Sequence, residues 1–323
     1  MYELDIRDKK IIIALDIDAR QSNTSIARTT KIPLYVVNYK IEKLIQNNVI
    51  KKFTTFIPLG KFGSFVYKIY FQLTGLPAEK EKIMLRDFVS DSRIDWIAKT
   101  EGRWDLMIAI YAKDCVEFGR IKEDIFFKYG HYFQDYDITM IKEAHPYPRD
   151  YLLTDSRTNV PVVQYIGGNT KVQITNTDKK LLKLLVENCR YSALELSQKL
   201  NINIKTVISR IKELKKSGVI QKFTILFNIN EVGYKYYKLC IYLKNVDEKI
   251  YNRIISYCKH HSNVIHLIEC IGSWELEIET EVTSDHEISK MNRDIRNIFT
   301  DYIKRIESVS IFEEMKLQLG PRL

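Results

Sequence analysis

The fold is decided by a stretch that the chain contains twice. Residues 203–223 read "NIKTVISRIKELKKSGVIQKF", and residues 33–53 read "PLYVVNYKIEKLIQNNVIKKF". A shift of 170 residues aligns the two without a gap, placing Val37 on Val207 and bringing the other apolar positions into register. The polar positions between them differ. Because an internal repeat determines the whole architecture, this duplication is the first feature to interpret.

The repeat extends over nearly the whole chain. The same shift aligns Asp8-Lys9-Lys10 with Asp178-Lys179-Lys180, Gly63 with Gly233, Tyr67-Lys68 with Tyr237-Lys238, and Gly102-x-Trp104 with Gly272-x-Trp274. Residues 144–173 have no counterpart, and they contain Pro146, Pro148, Pro161 and the Gly167-Gly168 pair, which are typical of a connection. The sequence therefore predicts two homologous units joined by a linker.

The composition is that of a globular protein without a membrane segment. Of the 323 residues 45% are apolar, yet no apolar run approaches the roughly 18 residues that a membrane helix needs. The first ten residues are charged from Glu3 onward and lack the apolar centre of a secretory signal. The five cysteines are scattered without a Cys-x-x-Cys motif, which indicates neither a disulfide framework nor a zinc site. We expect a cytoplasmic protein that contacts no membrane.

The net charge of +9 is concentrated in the two copies of the quoted stretch. Residues 1–55 hold ten Lys and Arg against six Asp and Glu, a net charge of +4, and residues 171–225 hold twelve against four, a net charge of +8. The rest of the chain is close to neutral. This distribution is what two nucleic-acid-binding modules attached to neutral domains would show, although lysine-rich helices also occur as ordinary solvated faces.

Each unit is predicted to begin with three helices and a strand, the pattern of a winged helix-turn-helix. In unit two, Thr177 or Asn176 is expected to cap the first helix, and Gly218 is placed for a left-handed end of the third. In unit one, Pro33 is expected at the first position of the third helix, and Asn48 replaces the glycine. The following strand of each unit is a candidate wing.

After each helical triplet the apolar period changes from 3.6 to 2, and the elements then read strand, helix, strand, strand, helix, strand. That order predicts a ferredoxin-like domain, with two helices on one face of an antiparallel sheet. The expected fold class is therefore α+β, in two repeats. The predicted domains are a winged helix-turn-helix at 1–58, a ferredoxin-like sensor domain at 59–143, a linker at 144–173, a second winged helix-turn-helix at 174–228 and a second sensor domain at 229–323.

This organisation resembles the Lrp/AsnC (leucine-responsive/asparagine) family of bacterial and archaeal transcription regulators, in a tandem duplicated form. The most specific matches are Thr206, Arg210, Ile211 and Leu214 in the third helix and the Gly102-x-x-Asp105 motif within "TEGRWDL". The resemblance implies that the third helix binds double-stranded DNA and that the sensor domains pair through their sheets into a homo-oligomer. It also implies an amino acid or a similar small effector bound near the glycine turns, at Gly102, Asp105, Gly272 and Glu275.

The exposed positions of the two third helices differ. If the apolar stripe of unit two is buried, the outward residues are Lys205, Thr206, Ser209, Arg210 and Lys212, which are donors suited to phosphates and base edges. The corresponding DNA-contacting candidates of unit one are Tyr35, Asn38, Tyr39 and Lys40. Because lysine lacks the planar fork of arginine, we expect unit two to dominate DNA binding. The two tyrosines of unit one either contact bases and sugars or pack against a neighbouring element.

The sensor domains carry a second asymmetry. One strand of unit two alternates Glu275, Glu277, Glu279 and Glu281 with other residues, whereas the matching positions of unit one are Asp105, Met107, Ala109 and Tyr111. Lys68 and Lys238 are expected partners of these glutamates, unless the row is an ordinary solvated face. Asp105 and Glu275 are also expected to accept a hydrogen bond from the ammonium group of an effector. Because a ferredoxin-like sheet leaves one face open, we expect the two sensor sheets to cover each other.

No catalytic residue, cofactor or metal site is predicted. The six histidines lack metal-ligand spacing, and residues 167–170 lack the Lys-Ser/Thr of a phosphate loop. Siroheme decarboxylases share the two-domain architecture and are the enzyme alternative, but that family carries a histidine and a tyrosine near a Tyr-Asn-x-Trp pattern. This chain has "TEGRWDL" and "CIGSWEL" there, without histidine. An architectural DNA-binding protein without an effector is the other alternative.

Overall fold

The computed structural model describes residues 1–155, 157, 165–166 and 172–317. Pro161 and the Gly167-Gly168 pair of the expected linker lie outside these residues. Unit one contains the helices α1 (Ile6–Ile17), α2 (Asn23–Thr30), α3 (Leu34–Gln46), α4 (Ala78–Ser90) and α5 (Cys115–Tyr129), and the strands β1 (Ile50–Phe56), β2 (Phe65–Leu73), β3 (Ile94–Glu101), β4 (Leu106–Ala112) and β5 (Phe133–Pro146).

A two-residue strand, β6 (Tyr165–Ile166), precedes unit two and pairs with β5. Unit two repeats the order with the helices α6 (Asn176–Glu187), α7 (Ala193–Leu200), α8 (Ile204–Lys216), α9 (Glu248–His260) and α10 (Asp285–Ile298), and the strands β7 (Lys222–Phe227), β8 (Lys235–Leu243), β9 (Val264–Gly272), β10 (Leu276–Val282) and β11 (Ile303–Leu317).

The start of α6 differs from the expectation by one or two residues. Its cap is Thr175, whose hydroxyl accepts from the Asp178 backbone N–H at 3.2 Å while the Asp178 carboxylate accepts from the Thr175 backbone N–H at 2.8 Å. This reciprocal arrangement is a capping box. The expectation of Thr177 or Asn176 was wrong because the threonine that has an acidic residue three positions later satisfies two backbone donors at once.

The ends of the third helices follow the sequence signals more closely. Pro33 is the residue before the first helical position, which is Leu34, so α3 begins one residue later than expected. Asn48 and Gly218 both adopt a left-handed backbone, with φ of 56° and 71°. Asparagine replaces glycine here because its short polar side chain tolerates this region of backbone space.

The two helix-turn-helix modules form one body with a shared apolar core, to which Val37 of α3 and Val207 of α8 both contribute. The strands expected as wings, β1 and β7, pair with each other across the units in an antiparallel ladder. Thr54 and Thr224, which are equivalent in the repeat, lie opposite each other in this ladder. A pseudo-twofold axis therefore passes between them and relates α3 to α8.

Each first helix covers the strand of the other unit, since α1 packs on β7 and α6 packs on β1. Side chains reinforce this exchange. The Thr55 hydroxyl donates to the Leu185 carbonyl at 2.8 Å, and the Arg20 guanidinium donates to the Tyr191 carbonyl at 2.8 Å. The modules are thus held in a fixed mutual orientation by buried contacts rather than by the linker alone.

The two ferredoxin-like domains close into one antiparallel barrel. Unit one contributes its strands in the order β5-β2-β4-β3, and unit two contributes β11-β8-β10-β9. The barrel closes because β3 pairs with β11 and β5 pairs with β9. Closure leaves no open sheet edge among these eight strands, and the faces of the two sheets that carry no helices enclose the barrel interior. Helices α4, α5, α9 and α10 cover the outside through two separate apolar cores.

The barrel interior is occupied by side chains from both sheets. Tyr70, Trp104, Met107 and Trp274 are all fully buried there. The expectation that the two sensor sheets cover each other is confirmed, and the cover forms within one chain. No helix in the described part of the chain has both the length and the apolar character needed to span a membrane.

Candidate DNA-binding surface and buried ion cluster

The α8 helix presents a polar and basic face to solvent. Val207 and Leu214 are buried, while the exposed residues are Ile204, Lys205, Thr206, Ile208, Ser209, Lys212, Glu213, Lys215 and Lys216. Of the predicted contact residues, Lys205, Thr206 and Lys212 are therefore accessible. The Ser209 hydroxyl is also exposed but donates to the Glu213 carboxylate at 2.9 Å.

Arg210 is held by the protein itself. Its Nε donates to Asp178 Oδ1 at 2.7 Å, its Nη2 donates to the other carboxylate oxygen, and its Nη1 donates to Glu213 at 2.6 Å. Asp178 is buried, and although burial opposes its ionisation, the hydrogen bonds from Arg210 and Thr175 hold its pKa below the ordinary value. The guanidinium thus ties α8 to the first turn of α6.

The equivalent position in unit one performs the same bridging. Lys40 Nζ lies 2.6 Å from an Asp5 carboxylate oxygen and 3.1 Å from an Asp8 carboxylate oxygen, which ties α3 to the first turn of α1. Both predicted phosphate or base contacts at this position, Lys40 and Arg210, are thus engaged in interhelical ion pairs. Each cation also has a second acidic partner, which is the cap residue Asp5 for Lys40 and Glu213 for Arg210.

The rest of the α3 face is aromatic. Tyr35 and Tyr39 are 76% and 60% exposed, so neither packs into a neighbouring element. The Asn38 carbonyl oxygen accepts from the Asn23 amide at 2.7 Å, and Asn23 in turn accepts from the Arg190 guanidinium. Of the two interpretations of the tyrosines, the structure therefore excludes packing within the described chain.

The glycine turns lie at the two strand pairings that close the barrel. Gly102 has φ of +133°, and a Cβ added there would lie 3.0 Å from the Ser308 carbonyl oxygen. Gly272 has φ of +145°, and a Cβ there would lie 2.3 Å from the Ile138 carbonyl oxygen. Both the backbone conformation and the lack of space for a Cβ require glycine at these positions. The glycines at the expected effector turns are therefore explained by the fold.

The carboxylates that follow the turns cap the first strand of each sheet. Asp105 Oδ2 accepts from the Leu73 backbone N–H at 2.7 Å, and Glu275 Oε2 accepts from the Leu243 backbone N–H at 2.8 Å. Both side chains are exposed. Beside Glu275, a surface cavity of about 410 Å³ is lined by Leu243–Glu248 and Tyr251. One carboxylate oxygen of each residue is thus used by the fold.

An ion cluster lies inside the barrel. Lys68 and Lys238, from opposite units, each place Nζ 2.7 Å from Glu277 Oε2, and Lys238 also lies 3.0 Å from Glu279. The expected lysine partners of the glutamates are observed, and Glu277, Glu279 and both lysines are buried. Burial favours the neutral forms, but the two lysines hold the pKa of Glu277 below its ordinary range, and the carboxylates hold the pKa of Lys238 above its own.

The charged row continues from the barrel into the helix-turn-helix body. Arg149 donates through Nε to Glu281 at 2.9 Å and through Nη1 to Asp16, at the end of α1, at 2.9 Å. Lys222 of β7 lies 3.5 Å from the other oxygen of Asp16. Arg149 falls in the segment expected as a linker, and the sequence offered no signal for its role beyond its position after two prolines.

One group of possible metal ligands lies where β5 pairs with β9. Donor atoms of Glu143, His145 and Glu269 all lie within 4.8 Å of one another. Glu269 is already satisfied, because it accepts from Lys142 at 2.8 Å and from Tyr251 at 2.9 Å and lies 3.1 Å from His145 Nε2. Burial opposes its ionisation, but these partners lower the pKa of Glu269 to about 2. The hydrogen bonds from these protein groups account for the arrangement without a bound metal ion.

Comparison with known proteins agrees with this architecture. A family model described as winged helix-turn-helix DNA-binding matches residues 4–51 and again residues 174–221. An uncharacterized HTH-type transcriptional regulator of Pyrococcus furiosus is 32% identical over 131 residues, which are 40% of this chain and 84% of the relative. One of Pyrococcus abyssi is 30% identical over 139 residues, which are 43% of this chain and 90% of the relative. The aligned length of each relative therefore corresponds to about one of the two units of this chain.

The fold and these relatives define the class: this is a helix-turn-helix transcriptional regulator that binds DNA. More particularly, the chain belongs to the Lrp/AsnC family, and it does so as a tandem duplication. A solved structure of the siroheme decarboxylase NirDL is similar over 96% of this chain and 92% of its own, with a TM-score of 0.63 and 13% identity. At that identity the likeness concerns the fold, and it shows that the paired two-unit arrangement occurs in another protein.

Proposed function

We propose that this regulator binds duplex DNA as a covalent pseudo-dimer, with α3 and α8 entering the major groove at two adjacent half-sites. The observation that carries the proposal is the pairing of β1 with β7 about Thr54 and Thr224, which relates the two helices by a pseudo-twofold axis. Helix-turn-helix dimers bind two half-sites by the same symmetry. Here one chain supplies both helices.

We propose unit two as the stronger DNA-binding unit. Lys205, Thr206 and Lys212 are exposed on α8, and the module carries a net charge of +8 against +4 for unit one. Arg210 is assigned a different role from base contact, because its fork is occupied by Asp178 and Glu213. It orients α8 on α6, so its contribution to DNA binding is indirect.

The test is a salt titration on the full chain with a duplex selected from random sequence and with a scrambled duplex. Each phosphate contact contributes about −0.9 to the slope of log affinity against log salt. Lys205→Ala with Lys212→Ala is expected to reduce the slope by about 2 units, while the exposed barrel residue Lys304, changed to Ala, serves as the matched control and leaves it unchanged. An unchanged slope in the double variant would refute the assignment of α8.

We also propose that a small ligand with an amino group binds in the cavity beside Glu275. The support is the carboxylate at the cavity wall, which has one oxygen outside the bond to Leu243. A carboxylate oxygen can accept a charge-assisted bond from an ammonium group. Calorimetry across the amino acids is the test, and Glu275→Gln is expected to abolish any heat of binding; an amino acid that bound equally to both forms would place the effector elsewhere.

We propose no catalytic activity. The two stretches that correspond to the decarboxylase pattern, "TEGRWDL" and "CIGSWEL", contain no histidine. Trp104, Trp274 and Tyr70 fill the space between the sheets. The test is the absorbance spectrum of the purified chain before and after incubation with an iron tetrapyrrole. A stoichiometric Soret band together with loss of carboxyl groups from the bound tetrapyrrole would refute this proposal.

A further inference from the structure

The faces that α3 and α8 present to solvent are chemically opposite at equivalent positions. The equivalent exposed pairs are Tyr35 and Lys205, Asn38 and Ile208, Tyr39 and Ser209, and Glu42 and Lys212. On α3 the two tyrosines lie four residues apart, so their rings share one face of the helix. The α3 face is therefore aromatic where the α8 face is cationic and hydroxylic.

The aromatic face is bordered by cations from α3 itself and from neighbouring elements. Arg28 in α2 and Lys31 in the following turn are exposed, and Lys43 Nζ lies 6.0 Å from the centre of the Tyr39 ring. At the positions of Arg28 and Lys31, unit two has Gln198 and Asn201. Unit one thus has two cations beside this face, Arg28 and Lys31, where unit two has neutral residues. Two aromatic rings with cations beside them suit a negatively charged polymer that carries apolar groups between its charges. They suit an apolar protein surface less well.

We infer that Tyr35 and Tyr39 contact the 5-methyl groups of thymine, and that the operator of this regulator consists of two unlike half-sites. The inference rests on the proposed function, in which α3 enters the major groove. Thymine is the one base that offers an apolar group there, while the other base edges offer hydrogen-bonding groups. The surrounding Arg28, Lys31 and Lys43 supply the phosphate contacts of this half-site.

The covalent link between the units makes unlike half-sites possible. A symmetric dimer repeats each side chain at both half-sites, which is why its operators are palindromic. In this chain the apolar residues that fix the two helices coincide, but the exposed residues do not. Recognition in one half-site by donors on α8 and in the other by aromatic rings on α3 follows from that divergence.

The first experiment selects binding sites for the full chain from random duplex DNA. Two different half-sites are expected, one of which contains thymines at fixed positions. Replacing those thymines by deoxyuridine removes only the methyl group, and it is expected to weaken binding about fourfold per methyl. The same replacement at any thymine of the other half-site is the internal control and is expected to leave affinity unchanged.

Variants then assign the effect to the rings. Y35F/Y39F keeps both rings and is expected to retain the uridine effect, whereas Y35A/Y39A is expected to abolish it. Y35K/Y39S installs the residues of unit two and is expected to make the first half-site resemble the second. Because both tyrosines are largely exposed, these variants should fold, which an unchanged helical circular dichroism signal would verify.

The outcomes separate this inference from the proposed function. Selection of a palindrome, or unchanged affinity after uridine replacement at both half-sites, would overturn the inference while leaving DNA binding by both helices intact. A uridine effect that persists in Y35A/Y39A would likewise overturn the assignment to these tyrosines. Failure to bind any duplex would refute the proposed function itself, and the inference with it.

Discussion

Glu277 is the residue whose replacement tests the barrel interior most directly. It is fully buried on β10 and accepts from Lys68 Nζ and Lys238 Nζ, both at 2.7 Å, and from the Tyr70 hydroxyl at 2.5 Å. Glu277→Gln keeps the shape of the side chain and removes its charge. Two buried ammonium groups then face a single remaining carboxylate, that of Glu279.

The expected cost follows from the asymmetry of buried ion pairs. Removing one partner leaves an uncompensated charge in a medium that solvates it poorly, which costs about 3–5 kcal/mol. Adding Lys68→Met to the variant restores neutrality, because Lys238 keeps its contact with Glu279 at 3.0 Å. We expect the double variant to recover more than half of the stability that Glu277→Gln loses, which is a coupling of the two sites.

Urea unfolding monitored by tryptophan fluorescence measures this effect. All three tryptophans of the chain, Trp96, Trp104 and Trp274, belong to the barrel or line its interior, so the signal reports the relevant domain. Glu314→Gln, at an exposed residue that accepts from the Trp96 indole, controls for a change in fluorescence alone. A loss below about 1 kcal/mol for Glu277→Gln, or strictly additive losses in the double variant, would refute the reasoning.

Four further predictions concern the pH dependence of the same ion cluster and three other parts of the molecule. Because its partners depress the folded-state pKa of Glu277, the stability it contributes is present above the unfolded-state pKa of about 4.3 and is lost as pH falls toward the folded-state value, so Glu277→Gln should flatten the decline in stability seen on acidification from pH 5 to pH 2. Arg149→Met should expose the link between barrel and helix-turn-helix body to limited proteolysis, since it removes the cation that contacts both buried carboxylates, Asp16 and Glu281; unchanged cleavage would contradict a bridging role. Arg210→Ala should weaken binding to selected and scrambled duplexes by the same factor, and a change in base preference would instead show that the guanidinium contacts a base. Gly272→Ala should lower the free energy of unfolding, measured by thermal unfolding, by about 2 kcal/mol more than Gly75→Ala. Both glycines have positive φ, but of the two only Gly272 has an atom within 4 Å of an added Cβ. Equal losses would show that this close approach does not affect stability.

Much of the fold was predictable because the repeat and the apolar periods are local signals. The helices, the ferredoxin-like order and the pairing of Lys68 and Lys238 with the glutamates were all predicted from the sequence alone. Which strand β1 pairs with was not predictable, since a wing within the unit and a partner in the other unit satisfy the same period. Only the arrangement of both units decides between them.

The predictions about individual polar residues were less complete for a related reason. An arginine on the third helix has the same sequence pattern whether it faces DNA or an acidic residue of another helix. In Arg210 the partner is Asp178, which is 32 residues away and is itself required for the capping box of α6. Arg149 was missed because nothing in a proline-containing connection indicates that it lies between Asp16 and Glu281.

The ion cluster explains why a sensor domain of the first kind pairs with one of the second kind. Each unit contributes one lysine, at positions 68 and 238, but both carboxylates come from β10, since the equivalents of Glu277 and Glu279 in unit one are Met107 and Ala109. A symmetric pair of units like the first would bury two lysines without a carboxylate, and a symmetric pair like the second would bury two lysines with four. Only the mixed pair is neutral.

Because an unbalanced buried charge costs several kcal/mol, the interior itself disfavours pairing between identical units and favours the arrangement that the covalent linkage provides. The divergence between the units also places two different helices, α3 and α8, on either side of one pseudo-twofold axis, and the asymmetric DNA contact proposed above rests on that difference.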